Sequence, residues 1–158
     1  MRPDVDLGLF ADVPDSRRRI MRAIRGKETL PERCVRSVLH KAGYRFRKNV
    51  TGLAGRPDIA FSARRKLVFV HGCFWHAHAG CRNAAIPRTR ATYWGAKLAR
   101  NVERDRENMI ALEAIGWAAE VVWECELSNI DVVLARLKAF IGPVSVSKAK
   151  KKNQESDG

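Results

Sequence analysis

Lys66-Leu-Val-Phe-Val-His-Gly-Cys-Phe-Trp-His-Ala-His-Ala-Gly-Cys81 joins a strand to a cluster of reactive side chains. Its first six residues, β-branched and aromatic in the middle and opened by a basic turn, predict the strongest strand of the chain. That strand delivers His71 at its C-terminal end. From Val70 to Cys81 there follow three histidines, two cysteines and a Phe-Trp pair, a mixture that no ordinary core needs. Imidazoles and thiolates at this spacing are the ligands zinc prefers. Two adjacent bulky aromatics in a short loop cannot both point into one core. A metal site and an aromatic contact surface built together are expected here.

The flanking sequence supplies the rest of a fold. Asp58-Ile-Ala-Phe61 reads as a second strand, preceded by the turn Thr51-Gly-Leu-Ala-Gly-Arg-Pro57. Tyr44-Arg-Phe-Arg-Lys48 alternates apolar and basic residues, as a half-buried strand does. Before it, Thr29-Leu-Pro-Glu32 has the form of a capping box, with Pro31 tolerated in the first turn. Val35, Val38, Leu39 and Ala42 recur at helical spacing and Gly43 supplies a stop, which predicts a helix over residues 30–42. Downstream, Trp94, Leu98, Val102, Met109 and Leu112 mark a long helix over residues 92–115, ended by Gly116. Residues 117–123 are expected as a last buried strand, and Ser128-Asn-Ile-Asp131 as the cap of a final helix reaching Ile141. Helix, three strands, helix, strand, helix fits an α/β domain with a mixed sheet flanked by helices.

At 158 residues the chain is most simply one domain, large enough to bury a core without staples. Residues 1–14 show no helical period and are expected to form a flexible arm. Residues 15–142 would be the domain; within it a short helix over residues 17–24 puts Ile20, Met21 and Ile24 on one face and arginines on the other. Beyond Pro143 the composition shifts to Ser, Lys and Gln, so residues 143–158 are expected to be a disordered basic tail.

Thirty Lys and Arg against seventeen Asp and Glu give a net charge of +13 and a pI ≈ 10.3. Basic side chains that neutralise phosphates release condensed counterions, so nucleic acid is the leading partner. A generally basic, soluble surface is the plainer reading, but the positives cluster at Arg17-Arg18-Arg19, residues 45–48, Arg64-Arg65-Lys66, residues 88–90 and the tail. A membrane surface fits less well, and no apolar run is long enough to span a bilayer. The N-terminus lacks the apolar core of a signal peptide, so a cytoplasmic, nucleoid-associated protein with reduced cysteines is expected. Cys34, Cys73, Cys81 and Cys125 are then better read as metal ligands or buried thiols than as two disulfides.

Gly55-Arg-Pro-Asp58 fixes a carboxylate at the start of one strand, about a dozen residues before the end of the next. Metal-dependent nucleases hold Mg²⁺ in this way, since hard cations want carboxylate and carbonyl oxygens. Taken alone, the motif is more simply a turn whose Asp bonds nearby amides. His71, His76 and Asn101-Val-Glu-Arg-Asp105 change that balance. Lys97, Asn101 and Asp105, spaced i, i+4, i+8, form one polar stripe on the long helix, either a solvated face or a support for a histidine or a phosphate.

These motifs together resemble the very short patch repair endonucleases, DNA mismatch endonucleases that nick beside thymine in a T:G mismatch. The matching stretches are M-R-A-I-R-G-K-E-T from Met21, G-R-P-D from Gly55, V-H-G-C-F-W-H from Val70, N-V-E-R-D from Asn101, and G-W from Gly116 followed by V-V-W-E-C ending at Cys125. They run in the family's order over roughly residues 16–126.

The resemblance implies a restriction-endonuclease-like fold of the PD-(D/E)XK type and a role for each matching residue. Asp58 and the Val70 carbonyl would hold a catalytic Mg²⁺. His76 would activate the attacking water, Asp105 would orient His76, and His71 would touch the scissile phosphate. Glu32 would sit near the metal's waters, or serve as the capping-box glutamate, or both. Cys73, His78, Cys81 and Cys125 would form a closed structural zinc site. Ala79 and Gly80 separate His78 from Cys81 where the family pattern has a single residue, a difference glycine can absorb in a turn. Cys34 is expected to be a buried thiol. Phe74, Trp75 and Trp94 would wedge into the duplex beside the mismatch, although Trp94 also fits the core stripe of its helix. Met21 would add to the wedge or belong to a core, and Lys97 and Asn101 would face DNA.

The function implied is Mg²⁺-dependent hydrolysis of one strand 5′ of the mismatched thymine, leaving a 3′-hydroxyl and a 5′-phosphate. The enzyme would act as a monomer on double-stranded DNA containing a T:G mismatch, alongside mismatch-repair proteins and a cytosine-5 DNA methyltransferase. A restriction-type nuclease of the same fold acting on paired DNA, and a zinc-stabilised DNA-binding module without catalysis, are the alternatives.

Overall fold

The computed structural model describes residues 29–145. The expected N-terminal arm, the short helix carrying Met21 and the tail beyond residue 145 lie outside them. Among the described residues the helices are α1 (Leu30–Lys41), α2 (Ala91–Ala114) and α3 (Ile130–Ile141), and the strands β1 (Arg47–Lys48), β2 (Ile59–Phe61), β3 (Lys66–His71) and β4 (Ala118–Trp123). This is the mixed α/β order read from the sequence.

Strand order in the sheet is β1-β2-β3-β4, with the first two pairings antiparallel and β3–β4 parallel. Parallel neighbours need a long crossover. Residues 72–90 and α2 supply it, so the Cys/His/Trp loop sits at the head of that crossover. β3 then sorts its side chains by period two. Val68 and Val70 pack with Val35 and Leu39 of α1 and with Val133, Leu137 and Ile141 of α3. Leu67 and Phe69 face Leu112 and Met109 of α2. His71 follows them onto the α2 side.

Thr29 Oγ1 accepts from the Glu32 amide at 3.5 Å, as the capping motif predicts. Other expectations change. The strand predicted over residues 44–48 is only two residues long: the Tyr44 amide is spent on the Leu39 carbonyl at 3.1 Å and its carbonyl accepts from Arg45 at 3.0 Å, while its hydroxyl donates to the Gly142 carbonyl at 2.6 Å. Tyr44 and Phe46 still meet Phe61 edge-on at 6.0 and 5.9 Å. Asn129 does not cap α3 with its side chain. A 3₁₀ stretch, Glu124–Asn129, feeds the helix instead, and Ser128 Oγ donates to the Cys125 carbonyl at 3.1 Å. Cys34 is half-buried rather than buried.

Val102, expected in the core stripe of α2, is 43% exposed. The inward stripe is Trp94, Leu98, Asn101, Asp105, Asn108 and Leu112, apolar at both ends and half-buried polar in the middle. The stripe keeps helical spacing, but its centre crosses a polar cleft instead of the sheet. Of the basic clusters, Arg64-Arg65-Lys66 is spent on helix ends: Arg64 and Lys66 donate to the Ile141 and Phe140 carbonyls of α3, and Arg65 to the Ile115 carbonyl after α2. Cations belong at helix C-termini. No helix among the described residues is long and apolar enough to cross a membrane.

Candidate active site and metal centre

The β2–β3 hairpin brings Asp58 beside the end of β3, where its Oδ2 accepts from the Val70 amide at 2.7 Å. The preceding turn is tight for a packing reason. Gly55 has φ +75°, and a Cβ there would lie 3.0 Å from Asn108 Nδ2 of α2 and 3.2 Å from the Phe69 ring. Asp58 opens on a cleft of ≈ 190 Å³ whose other walls include Glu32, His71, His76, Asp105 and Asn108. Glu32 comes from the first turn of α1, buried, with Arg36 Nη1 4.0 Å from its carboxylate. Burial pushes the Asp58 carboxyl up to about 6; the Val70 amide opposes the shift and the Glu32 charge adds to it. Three carboxylates, Glu32, Asp58 and Asp105, thus share a small cleft, and at Asp58 negative charge is costly.

His76 comes from the loop after β3, turned inward by its amide bond to the Gly72 carbonyl at 3.2 Å. Its Nδ1 lies 2.6 Å from Asp105 Oδ2. The His71 ring stacks on His76 with centroids 3.8 Å apart and planes 3° from parallel. Burial, then the neighbouring His76 charge, lower the His71 pKa to about 4, with Asp105 opposing. His71 is therefore neutral at physiological pH.

Ring and carboxylate atoms of His71, His76 and Asp105 lie within 4.8 Å of one another. Imidazole nitrogens bind metals in the ring plane, and two parallel planes this far apart share no such point. The trio is better suited to handling a proton than to chelation. Asp58 and a backbone carbonyl of β3 offer the oxygen donors Mg²⁺ prefers.

Cys73, His78, Cys81 and Cys125 form a second group, again with every ligand atom within 4.8 Å of the rest. Cys125 Sγ is 3.5 Å from His78 Nδ1, and the Cys125 amide points at Cys73 Sγ at 3.4 Å. Such spacings match a tetrahedron with zinc–ligand bonds of about 2.0–2.3 Å. The extra residue is absorbed in a turn. The Cys81 amide bonds the His78 carbonyl at 3.2 Å, with Gly80 at φ +71°. The donor set fits a closed zinc site, and all four cysteines are free of disulfides.

The same loop carries the aromatic pair Phe74 and Trp75. Phe74, Trp75 and Trp94 pack edge-to-face at 5.1 to 6.0 Å. Trp94 is buried and therefore belongs both to the helix core and to this trio, while Phe74 and Trp75 are half-buried. Lys97 Nζ lies 5.6 Å from the centroids of both Trp75 and Trp94. Asn101 donates to the Trp75 carbonyl at 3.0 Å, which fastens the loop to α2. Met21 lies outside the described residues.

Sequence reasoning assigned no role to Trp123, the last residue of β4. Its indole stacks on His78 at 4.1 Å and meets His71 edge-on at 5.3 Å. Its place follows from the parallel pairing of β4 with β3, which sets Trp123 opposite His71 and leaves no trace in the periodicity. Nor did it single out Asn108, or give Met109 more than a place in the apolar stripe of its helix, although both line the cleft one turn beyond Asp105.

A family model described as DNA mismatch endonuclease Vsr matches residues 11–82. Curated relatives extend the likeness through α2 and β4. The chain is 48% identical over 130 residues to a type II nicking enzyme of Xanthomonas oryzae pv. oryzae, V.XorIIP, covering 82% of this chain and 95% of that protein. It is 43% identical over 122 residues to the type II nicking enzyme V.NmeAIP of Neisseria meningitidis serogroup A, covering 77% and 86%. To the DNA mismatch endonuclease Vsr of Escherichia coli K12 it is 42% identical over 120 residues, covering 75% and 76%.

Proposed function

The chain belongs to the Vsr DNA mismatch endonuclease family and is a DNA-nicking endonuclease; from that premise we propose a Mg²⁺-dependent, strand-specific enzyme that nicks 5′ of the mismatched thymine in a T:G pair and so initiates very short patch repair. The supporting observation is the convergence of Glu32, Asp58, His71 and the His76–Asp105 pair on one cleft at the end of β3. Binding alone has no need of that set. We take residues 15–142 as the catalytic unit, of restriction-endonuclease-like fold, with 1–14 as an arm and 143–158 as a basic tail.

Asp58 and the Val70 carbonyl would hold Mg²⁺, with Glu32 facing the waters around it. The ion, when bound, neutralises charge on the scissile phosphate and acidifies a bound water. With Nδ1–H donated to Asp105, His76 keeps an unprotonated Nε2 to take the proton of the attacking water. Neutral His71, stacked against it, offers the phosphate a hydrogen bond without a competing charge. In-line attack leaves a 3′-hydroxyl and a 5′-phosphate.

Phe74, Trp75 and Trp94 would open the stack beside the mismatch, a step that costs a few kcal/mol and is least costly where pairing is already poor. Met21 would join them, and Lys97 and Asn101 would hold the wedge against DNA. Cys73, His78, Cys81 and Cys125 would keep a structural zinc, fixing the loop that carries both wedge and base. The enzyme would act as a monomer, with mismatch-repair proteins and a cytosine-5 DNA methyltransferase as functional partners.

A labelled-strand assay on T:G and T:A duplexes, with and without Mg²⁺, tests this reading. One strand of the T:G duplex should be nicked, and only with Mg²⁺. Equal cutting of the paired duplex would instead support a restriction-type nuclease of the same fold acting on paired DNA. Binding without any nick would support the non-catalytic module.

A further inference from the structure

A second groove, ≈ 630 Å³, opens between α1 and the edge strand β1. Five of its eight lining residues are Arg33, Arg36, Lys41, Arg45 and Lys48, and none is acidic. On α1 the lining positions 33, 36, 37, 40 and 41 fall at i, i+3, i+4, i+7 and i+8, one stripe of the helix. At 1.5 Å per residue it runs for about 12 Å. Arg33, His40, Lys41, Arg45 and Lys48 are exposed. Along it Arg36 faces Glu32 and Arg45 donates to the His40 and Tyr44 carbonyls at 3.4 and 3.0 Å, while Arg33 and Lys41 present exposed charge to the channel.

The groove is built on elements that adjoin the catalytic cleft. Lys48 pairs in the sheet with Ile59, the residue after Asp58, and the Asn49 amide bonds the Asp58 carbonyl at 3.1 Å. On the opposite wall Arg36 reaches Glu32, which lines the cleft itself.

We propose that the α1–β1 groove holds the phosphate backbone of the same duplex on one flank of the nick, beyond the bases that the aromatic loop touches. Charge complementarity fits a polyanion, and proximity to the cleft through Lys48, Asn49 and Arg36 fits the strand being cut rather than a separate acidic protein. Twelve ångströms of stripe matches about three base pairs of one strand at 3.4 Å each. Contacts of this kind set register and affinity without reading sequence. The inference rests on the endonuclease reading, and its test separates the two.

The full chain carrying Arg33→Ala and Lys41→Ala, both exposed positions outside the catalytic cleft, is compared with wild type on T:G duplexes with long flanks and with either flank trimmed. Affinity is measured without Mg²⁺ over a range of salt, and nicking with Mg²⁺ at saturating enzyme. On the long duplex the variant should bind more weakly, with the slope of log K against log [salt] reduced by about 2. Trimming one particular flank should abolish the difference, and both proteins should then nick at the same rate. Each single variant should lower the slope by about 1. An unchanged slope, as expected if the groove takes an acidic protein segment, would overturn the proposal. So would a deficit that survives trimming of either flank. Failure of the wild type to nick any duplex would instead sink the endonuclease reading.

Discussion

The His78 imidazole lies flat on the Trp123 indole, centroids 4.1 Å apart and planes 8° from parallel, while the same indole meets His71 edge-on at 5.3 Å. One side chain thus separates the Cys/His cluster from the stacked histidines of the cleft. It is also anchored from behind. The Trp123 amide donates to Glu126 at 2.8 Å, and Arg136 of α3 donates to both Glu126 oxygens at 2.6 and 3.0 Å. That pairing with Arg136 holds the Glu126 carboxyl below its usual range.

If Trp123 sets the position of His71, then Trp123→Leu should slow single-turnover nicking by up to about 10²-fold, the order of loss that an ångström of misplacement brings. Trp123→Phe, which keeps a flat ring between the two histidines, should recover most of the rate. Zinc content measured on both variants distinguishes lost positioning from a lost metal. Wild-type rates for Trp123→Leu at full zinc occupancy would remove the residue from this role.

The His76–Asp105 contact at 2.6 Å gives a second test. Asparagine at position 105 keeps the shape, but its amide nitrogen can turn toward Nδ1 and favour the tautomer that carries the proton on Nε2. His76 then has no lone pair for the attacking water. Asp105→Asn should cost on the order of 10²–10⁴ in nicking rate, with circular dichroism and DNA affinity near wild type. A loss under threefold would mean that His76 is not the base.

Asp58 and His71 make opposite demands on pH. Burial raises the folded-state Asp58 pKa from 3.8 to about 6. Its contribution to stability is therefore present below pH 3.8 and is lost as pH rises through 6. His71 is lowered from 6.5 to about 4, so its contribution is present above 6.5 and is lost as pH falls through 4. The two slopes oppose each other between roughly pH 4 and 6. Asp58→Asn removes one of them. Without Mg²⁺, this variant should melt at a higher temperature than wild type at pH 7.5, and its Tm should climb more steeply between pH 4 and 6. It should also fail to nick. A Tm at or below that of wild type at neutral pH would mean that the buried carboxylate is not destabilising.

Much of this arrangement is legible in the sequence. The run from Lys66 to His71 alternates nothing and is apolar throughout its middle, which is what a strand covered on both faces requires. The short spacing from Cys73 to Cys81 is local, so its convergence follows from the loop itself. Cys125 joins it only because β4 pairs in parallel with β3, and periodicity does not reveal strand pairing. Two misreadings share one cause. Val102 looked like core and Asn108 drew no notice, because amphipathic reading equates inward with apolar; of the two readings open for the Lys97, Asn101 and Asp105 stripe, support for a histidine is the one that Asp105 fulfils. Over a catalytic cleft the inward face is polar. The β1 strand was overextended for another reason: the Tyr44 amide bonds back to the Leu39 carbonyl of α1, which the apolar-basic alternation of residues 44–48 does not show.

Gly80 bears on the metal centre. It sits at φ +71° in the turn that brings Cys81 back to His78, and a Cβ there would meet nothing within 4 Å. Substitution is therefore opposed by backbone strain alone, and a non-glycine residue in the left-handed region costs about 1–2 kcal/mol. If zinc binding is what holds that turn, Gly80→Ala should weaken zinc by about 5- to 30-fold in competition with a chromogenic chelator. Gly80→Asn should lose less, since asparagine tolerates this conformation better. The thermal midpoint should fall with zinc affinity across the two variants, because the same loop carries His76 and Trp75. Zinc affinity equal to wild type in Gly80→Ala would show that the two-residue spacing closes the site without help from the left-handed glycine.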